Sequence, residues 1–318
     1  MGVIANPASG RDVRRLVAGA SVFGNAEKAA MVLRLLTGLG ATGVDRVLML
    51  PAGDGLSSTL RGYLHGAAPG LPRLEELAIK LEGTARDTTV AVEQMVSEGV
   101  RAIVVLGGDG THRVVAKACG EVPVCAISTG TNNVFPEMRE TTVAGMAVGR
   151  VATGRAGAGG LRRESALAVS VAGAEPDLAL VDVAVSRQRF LGARAVWRPD
   201  DISELFVTFA SPAAVGLSAI AGALEPVARG SGRGLHVRLA PDGDRTVLAA
   251  IAPGLVVPVR VASHRVIELD EPSELAAAVG TISLDGEREL ERLRPVPATV
   301  RLVPGPYTID IDAALART

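Results

Sequence analysis

The stretch VVLGGDGTHRVVAK, residues 104–117, decides the fold of the first part of the chain. An apolar run predicts a buried strand, and a helical pattern begins near Thr111, after three glycines have interrupted the run. The glycines are Gly107, Gly108 and Gly110. Because they lack a side chain, they allow positive φ and a close approach of the backbone to a ligand. The first N–H groups of the helix favour an anion there.

Asp109 is the exceptional residue of this loop, because a carboxylate beside a bound phosphate repels it unless it has a chemical task. It could bind Mg²⁺ or accept a proton from an attacking hydroxyl. The plainer alternative is a tight turn in which Asp109 and Thr111 only cap the helix. The loop matches neither a GxGxxG fingerprint nor a GxxxxGK[ST] P-loop.

The composition of the 318-residue chain limits the class of protein. Hydrophobic residues make up 48% and the formal net charge is −1, so we expect an ordered protein with room for two domains and no nucleic-acid partner. Cys119 and Cys125 are the only cysteines, and we expect them to be core residues. We find no signal peptide and no apolar run of the roughly 20 residues that cross a bilayer, which predicts a cytoplasmic protein with no membrane partner.

Strand-like and helix-like patterns alternate over residues 1–155. Apolar runs predict strands at 2–5, 45–51, 101–106 and 122–128. Helical spacing predicts helices at 27–39, 89–98 and 111–119, with Asp87 or Thr88 as the cap of the second. Repeated β-α-β units with apolar strands are typical of a doubly wound, Rossmann-like parallel sheet, so we expect an α/β nucleotide-binding domain here.

The pattern changes after about residue 155. Short apolar runs follow one another at close intervals, which predicts a β-rich, sandwich-like domain over residues 156–300, with one helix over 213–224. We leave open whether the last segment, residues 301–318, returns to the first domain.

Three loops follow the carboxyl ends of predicted strands: NPASG at 6–10, GGDGT at 107–111 and STGTNN at 128–133. In a doubly wound sheet, ligands bind outside these ends. The first and third loops offer small polar side chains: Asn6, Ser9, Ser128, Thr129, Thr131, Asn132 and Asn133. Each loop alone is ordinary turn chemistry. Three at one edge of a sheet, one of them with an acid, favour phosphoryl transfer from a nucleotide.

The three loops together resemble those of the superfamily of NAD kinases, diacylglycerol kinases and sphingosine kinases. Within it, the chain is most similar to the acetoin-catabolism protein X (AcoX) group of ATP-NAD kinases. That closer resemblance rests on IANPASGRDVRRLVAGASVF, GATGVDRVLMLP and GTARDTTVAVEQM. It implies an α/β domain and a β-rich domain with the active site between them, small-molecule nucleotides as ligands, and a homodimer or homotetramer.

The resemblance also implies roles for particular residues. The three glycines of GGDGT shape a phosphate loop, and Asp109 is the base for the acceptor hydroxyl, which is the adenosine 2′-hydroxyl if the acceptor is NAD. The nucleotide and its phosphates are bound by the following residues: Asn6, Ser9, Thr111, Thr131, Asn132 and Asn133.

In the β-rich half, LDGERE at 284–289 resembles the DGE or DGQ segment of these kinases. The resemblance implies that Asp285 and Glu287 face the cleft. The alternative is that Asp285 and Gly286 only form a hairpin turn.

Two departures from the NAD kinase pattern concern the acceptor. Where NAD kinases have an Asn-Glu pair, this chain has Val181 and Asp182. Where they have a Thr-Pro loop with a tyrosine, it has Ser211 and Pro212 without the tyrosine. We take Asp182 and Ser211 as further cleft candidates and keep the identity of the acceptor open.

The leading interpretation is a kinase that uses Mg²⁺ and transfers a phosphoryl group from ATP, or from polyphosphate, to the 2′-hydroxyl of NAD, giving NADP. A second interpretation keeps the fold but has a lipid or a small alcohol as the acceptor. A third is a nucleotide-binding regulator linked to acetoin catabolism that has lost catalysis. Asp109 argues for an enzyme, because binding alone gains nothing from an acid next to phosphates.

Overall fold

The computed structural model describes residues 1–6, 21–53, 55–67, 69–186, 199–276, 279–286, 288–292 and 294–316. The helices in this part of the chain are α1 (Asn25–Ala41), α2 (Leu56–His65), α3 (Ala85–Ser97), α4 (Asp109–Ala118), α5 (Thr141–Ala152), α6 (Ser218–Gly222) and α7 (Ile311–Leu315). The strands are β1 (Gly2–Ala5), β2 (Arg46–Met49), β3 (Arg73–Glu76), β4 (Ile103–Gly107), β5 (Val124–Ser128), β6 (Leu161–Val171), β7 (Asp177–Ala179), β8 (Asp182–Ser186), β9 (Ile202–Val207), β10 (Arg233–Leu239), β11 (Arg245–Ala252), β12 (Leu255–Glu268), β13 (Pro272–Leu275), β14 (Gly280–Leu284), β15 (Arg288–Arg292) and β16 (Ala298–Ile309).

The first five strands form a parallel sheet in the order β3-β2-β1-β4-β5. Successive residues of β4 point to opposite faces, and both faces are covered. Val104 packs with α1 and α5, whereas Ile103 and Val105 pack with α3 and α4. The predicted doubly wound α/β arrangement is therefore confirmed.

The second half of the chain contributes to two sheets. A seven-stranded antiparallel sheet runs in the order β11-β12-β10-β9-β8-β14-β15. Strands β6, β7, β13 and β16 instead extend the first sheet: β16 pairs in parallel with β5 at Thr308 and Val124, and antiparallel with β6. The two sheets bury a shared apolar core between them, which includes Leu167 and Ile282. The β-rich second half is confirmed, and β16 and α7 bring residues 301–316 back to the parallel strands.

Some predicted boundaries were wrong. Helix α3 begins at Ala85 because the hydroxyl of Thr84 accepts a hydrogen bond from the N–H of Arg86; neither Asp87 nor Thr88 is the cap. The helix expected over 213–224 shrinks to α6, since Gly216 has φ of 108°, outside the helical region. No helix in the described part of the chain is long and apolar enough to span a bilayer.

Candidate functional site

The GGDGT loop is a turn from β4 into α4 that is crowded by side chains rather than bent through positive φ. Gly108 has φ of −98°. A Cβ on Gly107 would lie 2.9 Å from the Cβ of Thr111, and a Cβ on Gly108 would lie 2.9 Å from Oδ1 of Asn133. The glycines are therefore needed because the neighbouring loop and the first turn of α4 approach the backbone closely.

Asp109 is 4% exposed, and its carboxylate faces the segment that follows STGTNN. The N–H of Val134 donates to both carboxylate oxygens at 3.1 Å, and the N–H of Phe135 donates to Oδ1 at 2.8 Å. No side chain caps α4 at Gly108. The carboxylate of Asp109 binds a turn of the chain 25 residues further on, so the plainer alternative, in which Asp109 only caps its own helix, does not account for it.

The end of β1 is hydrogen-bonded to the start of α4. The side-chain amide of Asn6 donates to the hydroxyl of Thr111 at 2.9 Å, and Nζ of Lys28 donates to the carbonyl oxygen of Asn6 at 3.0 Å. Lys28 is 1% exposed, and burial lowers its pKa to about 8. Lys28 was not among the predicted site residues, and Ser9 lies outside the described residues.

The STGTNN loop is held by its own side chains. Nδ2 of Asn133 donates to the hydroxyl of Ser128 at 2.8 Å and to the carbonyl of Gly130 at 3.3 Å. The Thr131 hydroxyl accepts from the N–H of Ser21 at 2.8 Å, and Asn132 lies in the same turn, half-buried. Asn6 bonds to Thr111 and Asp109 bonds to the turn after STGTNN, so Asn6, the GGDGT loop and the STGTNN loop meet at one edge of the sheet.

A cavity of about 750 Å³ opens beside the third loop. Thr131, Asn133 and Val134 line one side, and residues 209–215 and 226–229 of the β-rich half line the other. Ser211 is part of this wall, as its alignment with the kinase loop suggested. Asp182 and Asp285 are not among the lining residues, and Asp109 borders the cavity only through Val134, to which it is hydrogen-bonded.

Asp285 occupies a buried turn. Its carboxylate is fully buried and accepts hydrogen bonds from the N–H groups of Leu180 at 2.9 Å and Val181 at 2.8 Å. Burial raises the pKa of Asp285, and the charge of Arg113 opposes that rise. The expectation that this carboxylate faces the cleft is not met: Asp285, with φ of 52°, lies in the tight connection between β14 and β15, as the hairpin alternative predicted. Glu287 lies outside the described residues.

Two arginines connect the halves of the chain, and the sequence did not indicate either. Nη1 of Arg113, on α4, donates to the carbonyl of Leu284 at 2.8 Å. Nη2 of Arg229 donates to the carbonyl of Val134 at 3.3 Å. In both pairs the acceptor is a backbone carbonyl far along the chain, so no local pattern could have revealed the contact.

Comparison with known proteins connects this geometry to a family. The model of the ATP-NAD kinase N-terminal domain matches residues 4–155, and that of the acetoin catabolism protein X C-terminal domain matches residues 165–305. Acetoin catabolism protein X of Cupriavidus necator is 44% identical over 300 residues, which cover 91% of this chain and 84% of that protein. The chain belongs to the acetoin catabolism protein X family. The resemblance inferred from the three loops is confirmed.

The fold of this acetoin catabolism protein X family member is also found among solved structures. A protein of Bacillus anthracis assigned to the diacylglycerol kinases superposes with a TM-score of 0.50 at 15% identity, over 99% of this chain and 98% of that one. The family match and the shared fold support a kinase of this fold, and the NAD kinase domain implies nucleotides as its substrates.

The residues that the structure describes contain no group of three or more His, Cys, Asp or Glu side chains that could hold a metal ion. A Mg²⁺ ion in a kinase commonly keeps several waters and is bound by one or two carboxylates together with substrate phosphates. The single carboxylate of Asp109 at the loop edge fits that kind of site and not an all-protein cage.

Proposed function

We propose that this protein is a kinase that transfers a phosphoryl group from ATP, or from polyphosphate, to the 2′-hydroxyl of NAD, giving NADP. One observation carries the proposal: Asn6 at the end of β1, the GGDGT loop and the turn that follows STGTNN are linked by hydrogen bonds at the carboxyl ends of the parallel strands, with Asp109 among them and a cavity beside the STGTNN loop. Ligands of doubly wound folds bind at this edge.

The donor phosphates would lie over the start of α4. The first N–H groups of that helix and the closely packed glycine backbone favour an anion. Lys28 adds a positive charge at the end of β1, where it donates to the carbonyl of Asn6. Mg²⁺, when bound with the nucleotide, would neutralise phosphate charge, with Asp109 as the candidate protein carboxylate.

The acceptor would occupy the cavity, whose volume of about 750 Å³ falls in the range of small-molecule sites, roughly 300–1,000 Å³. Its wall combines small apolar residues with the polar groups of Thr131, Asn133 and Ser211. Such a wall accommodates a large, partly apolar acceptor and offers hydroxyl and amide groups that can orient one of its hydroxyls.

Asp109 is the candidate base. Three hydrogen bonds from Val134 and Phe135 hold its carboxylate in one orientation beside the loop that borders the cavity. Phosphoryl transfer depends mainly on positioning and charge stabilisation, so a fixed carboxylate can serve without unusual basicity.

The same hydrogen bonds favour a second candidate, a nucleotide-binding regulator without catalysis. Because Asp109 stabilises the turn at Val134 and Phe135, its presence is explained even if no proton is transferred. This answers the objection that binding alone gains nothing from an acid at this position.

Turnover separates these functions. The protein is incubated with Mg²⁺-ATP alone and with NAD, NADH, glycerol or diacylglycerol vesicles, and ADP release is measured. Stimulation by NAD supports the proposal, and stimulation by glycerol or diacylglycerol alone shifts the acceptor to an alcohol or a lipid. ATP or NAD binding by calorimetry without stimulation by any acceptor identifies the regulator.

A further inference from the structure

Arg229 crosses from the β-rich half of the chain to the turn that Asp109 holds. It lies between α6 and β10, and its Nη2 donates to the carbonyl oxygens of Phe135 at 2.5 Å and Val134 at 3.3 Å. The N–H groups of these same two residues donate to Asp109. Asp109, in the first half of the chain, therefore binds the N–H groups of the turn, and Arg229, in the β-rich half, binds its carbonyl oxygens.

Two aromatic rings fix the guanidinium in this place. Cζ of Arg229 lies 4.3 Å from the ring centroid of Phe209 and 5.1 Å from that of Phe135. Contacts of a guanidinium with ring faces are attractive, most of all where water is excluded. Phe209 also lines the cavity, so the arginine joins a cavity wall to the turn at Phe135.

Two carboxylates lie near the guanidinium of Arg229. Its Nη1 lies 3.8 Å from Oε1 of Glu137 and 4.0 Å from Oε1 of Glu164. Burial lowers the pKa of Arg229, and these two carboxylates oppose that change. With Nη2 bonded to two carbonyls and two carboxylates near Nη1, this side chain is better suited to fix a backbone than to receive a phosphate.

We infer that Arg229 is a positioning residue, which holds the Val134–Phe135 turn from the side opposite Asp109 and so couples the acceptor cavity to the orientation of that carboxylate. The inference rests on the proposed function for its effect on turnover. Its structural part does not: the turn loses the two hydrogen bonds from Arg229 when the guanidinium is removed and keeps the three to Asp109, whatever reaction the site performs.

Amide hydrogen exchange of the segment 131–138 tests the structural part without any ligand. Arg229→Met keeps an apolar side chain of similar length and removes the guanidinium. We expect amide exchange at Val134 and Phe135 to become about tenfold faster or more, which is the effect of losing a charge-assisted hydrogen bond. Arg229→Lys keeps the charge without the planar guanidinium and should give an intermediate exchange rate. It replaces the methionine variant if that variant folds poorly.

Arg233→Met is the matched control, because Arg233 is half-exposed and pairs with Glu268 on the surface. Wild-type exchange in both Arg229 variants overturns the inference.

Kinetics with NAD as the probe acceptor and Mg²⁺-ATP as the donor test the coupling. We expect Arg229→Met to raise KM for NAD and lower kcat, each by about tenfold, with Arg229→Lys between it and the wild type. The calorimetric Kd for ATP should change by less than about threefold, since the hydrogen bonds of Arg229 go to the Val134–Phe135 turn and not to the glycines of the phosphate loop. Faster exchange with wild-type KM and kcat overturns the coupling. If the wild-type protein phosphorylates no NAD, the proposed function fails, and exchange alone decides on Arg229.

Discussion

Arg113 and Asp285 form a buried ion pair that joins the helix of the glycine loop to the β-rich half of the chain. Nη1 of Arg113 lies 3.5 Å from Oδ2 of Asp285, and the two side chains are 10% and 0% exposed. Arg113 follows Asp109 by one turn of α4, so both project from the same face of that helix. One helix thereby sets the position of the 134–135 turn through Asp109 and of the β14–β15 turn through Arg113.

Asp285→Asn should lower the free energy of unfolding by about 3 kcal/mol, because Arg113 is left buried without its charged partner. Urea denaturation monitored by circular dichroism measures the change. Asp242→Asn is the control: Asp242 is exposed, and its variant should stay within about 0.5 kcal/mol of the wild type. Equal stability of the two variants would show that the pair does not stabilise the fold.

Thr111→Val should weaken ATP binding by about two- to tenfold, because it removes the hydroxyl that accepts the hydrogen bond from Asn6 and loosens the contact between the first two loops. Thr111→Ser keeps an acceptor at the same place and should bind ATP nearly as the wild type does. Calorimetric titration compares the three proteins, and equal affinity of the valine variant would contradict a role for this hydrogen bond.

The parallel half of the fold was predictable because its signals are local. The apolar runs that became β1, β4 and β5 are buried on both faces, and GGDGT marks the change from strand to helix directly. Strand β3 was not predicted, since RLEE is a charged segment whose strand pairs only with β2 at the edge of the sheet. Helix α5 was not predicted either: glycine and alanine let it approach α1 closely and leave no clear apolar stripe.

The candidate site was predictable in its residue types but not in their partners. Asp109 could be identified as the unusual residue of its loop, yet its bonds to Val134 and Phe135 depend on how β4 and β5 are placed side by side. Arg229 looks like any other arginine in a chain rich in them. Only the folded chain brings its guanidinium between Phe135 and Phe209.

His112 should make stability depend on pH. Its Nδ1 lies 2.8 Å from the carbonyl of Gly108, which can only accept, so the proton is on Nδ1; burial lowers its pKa from 6.5 to about 4. Between pH 6.5 and pH 4, His112 is therefore protonated in the unfolded chain but remains neutral in the folded chain. The free energy of unfolding should fall by about 3 kcal/mol as the pH drops through this window, and this contribution should be constant above it.

Denaturation at several pH values compares His112→Gln with the wild type, since glutamine does not titrate there. The fall attributed to His112 should be absent in this variant. His65→Gln, at an exposed position, should keep it. An unchanged pH profile in His112→Gln would contradict the assignment.

Gly145→Ala should destabilise the contact between α1 and α5. A Cβ at Gly145 would lie 2.4 Å from the carbonyl oxygen of Leu35 and 3.1 Å from Cα of Gly38, so the helices would have to separate. We expect a loss of about 2 kcal/mol in thermal or urea denaturation. Gly62→Ala, in α2 with open space around it, should instead gain about 0.5–1 kcal/mol from helix propensity. Equal shifts in both variants would contradict the close packing.

The formation of NADP tests the central proposal most directly. Wild-type protein and Asp109→Asn are incubated with Mg²⁺-ATP and NAD, and NADP and ADP are quantified over time. We predict equal amounts of NADP and ADP from the wild type. The initial rate of Asp109→Asn should be lower by about 10²-fold or more, while ATP still raises its melting temperature. Absence of NADP from the wild-type reaction both with Mg²⁺-ATP and with Mg²⁺-polyphosphate in its place, or equal rates for the two proteins, would contradict the account.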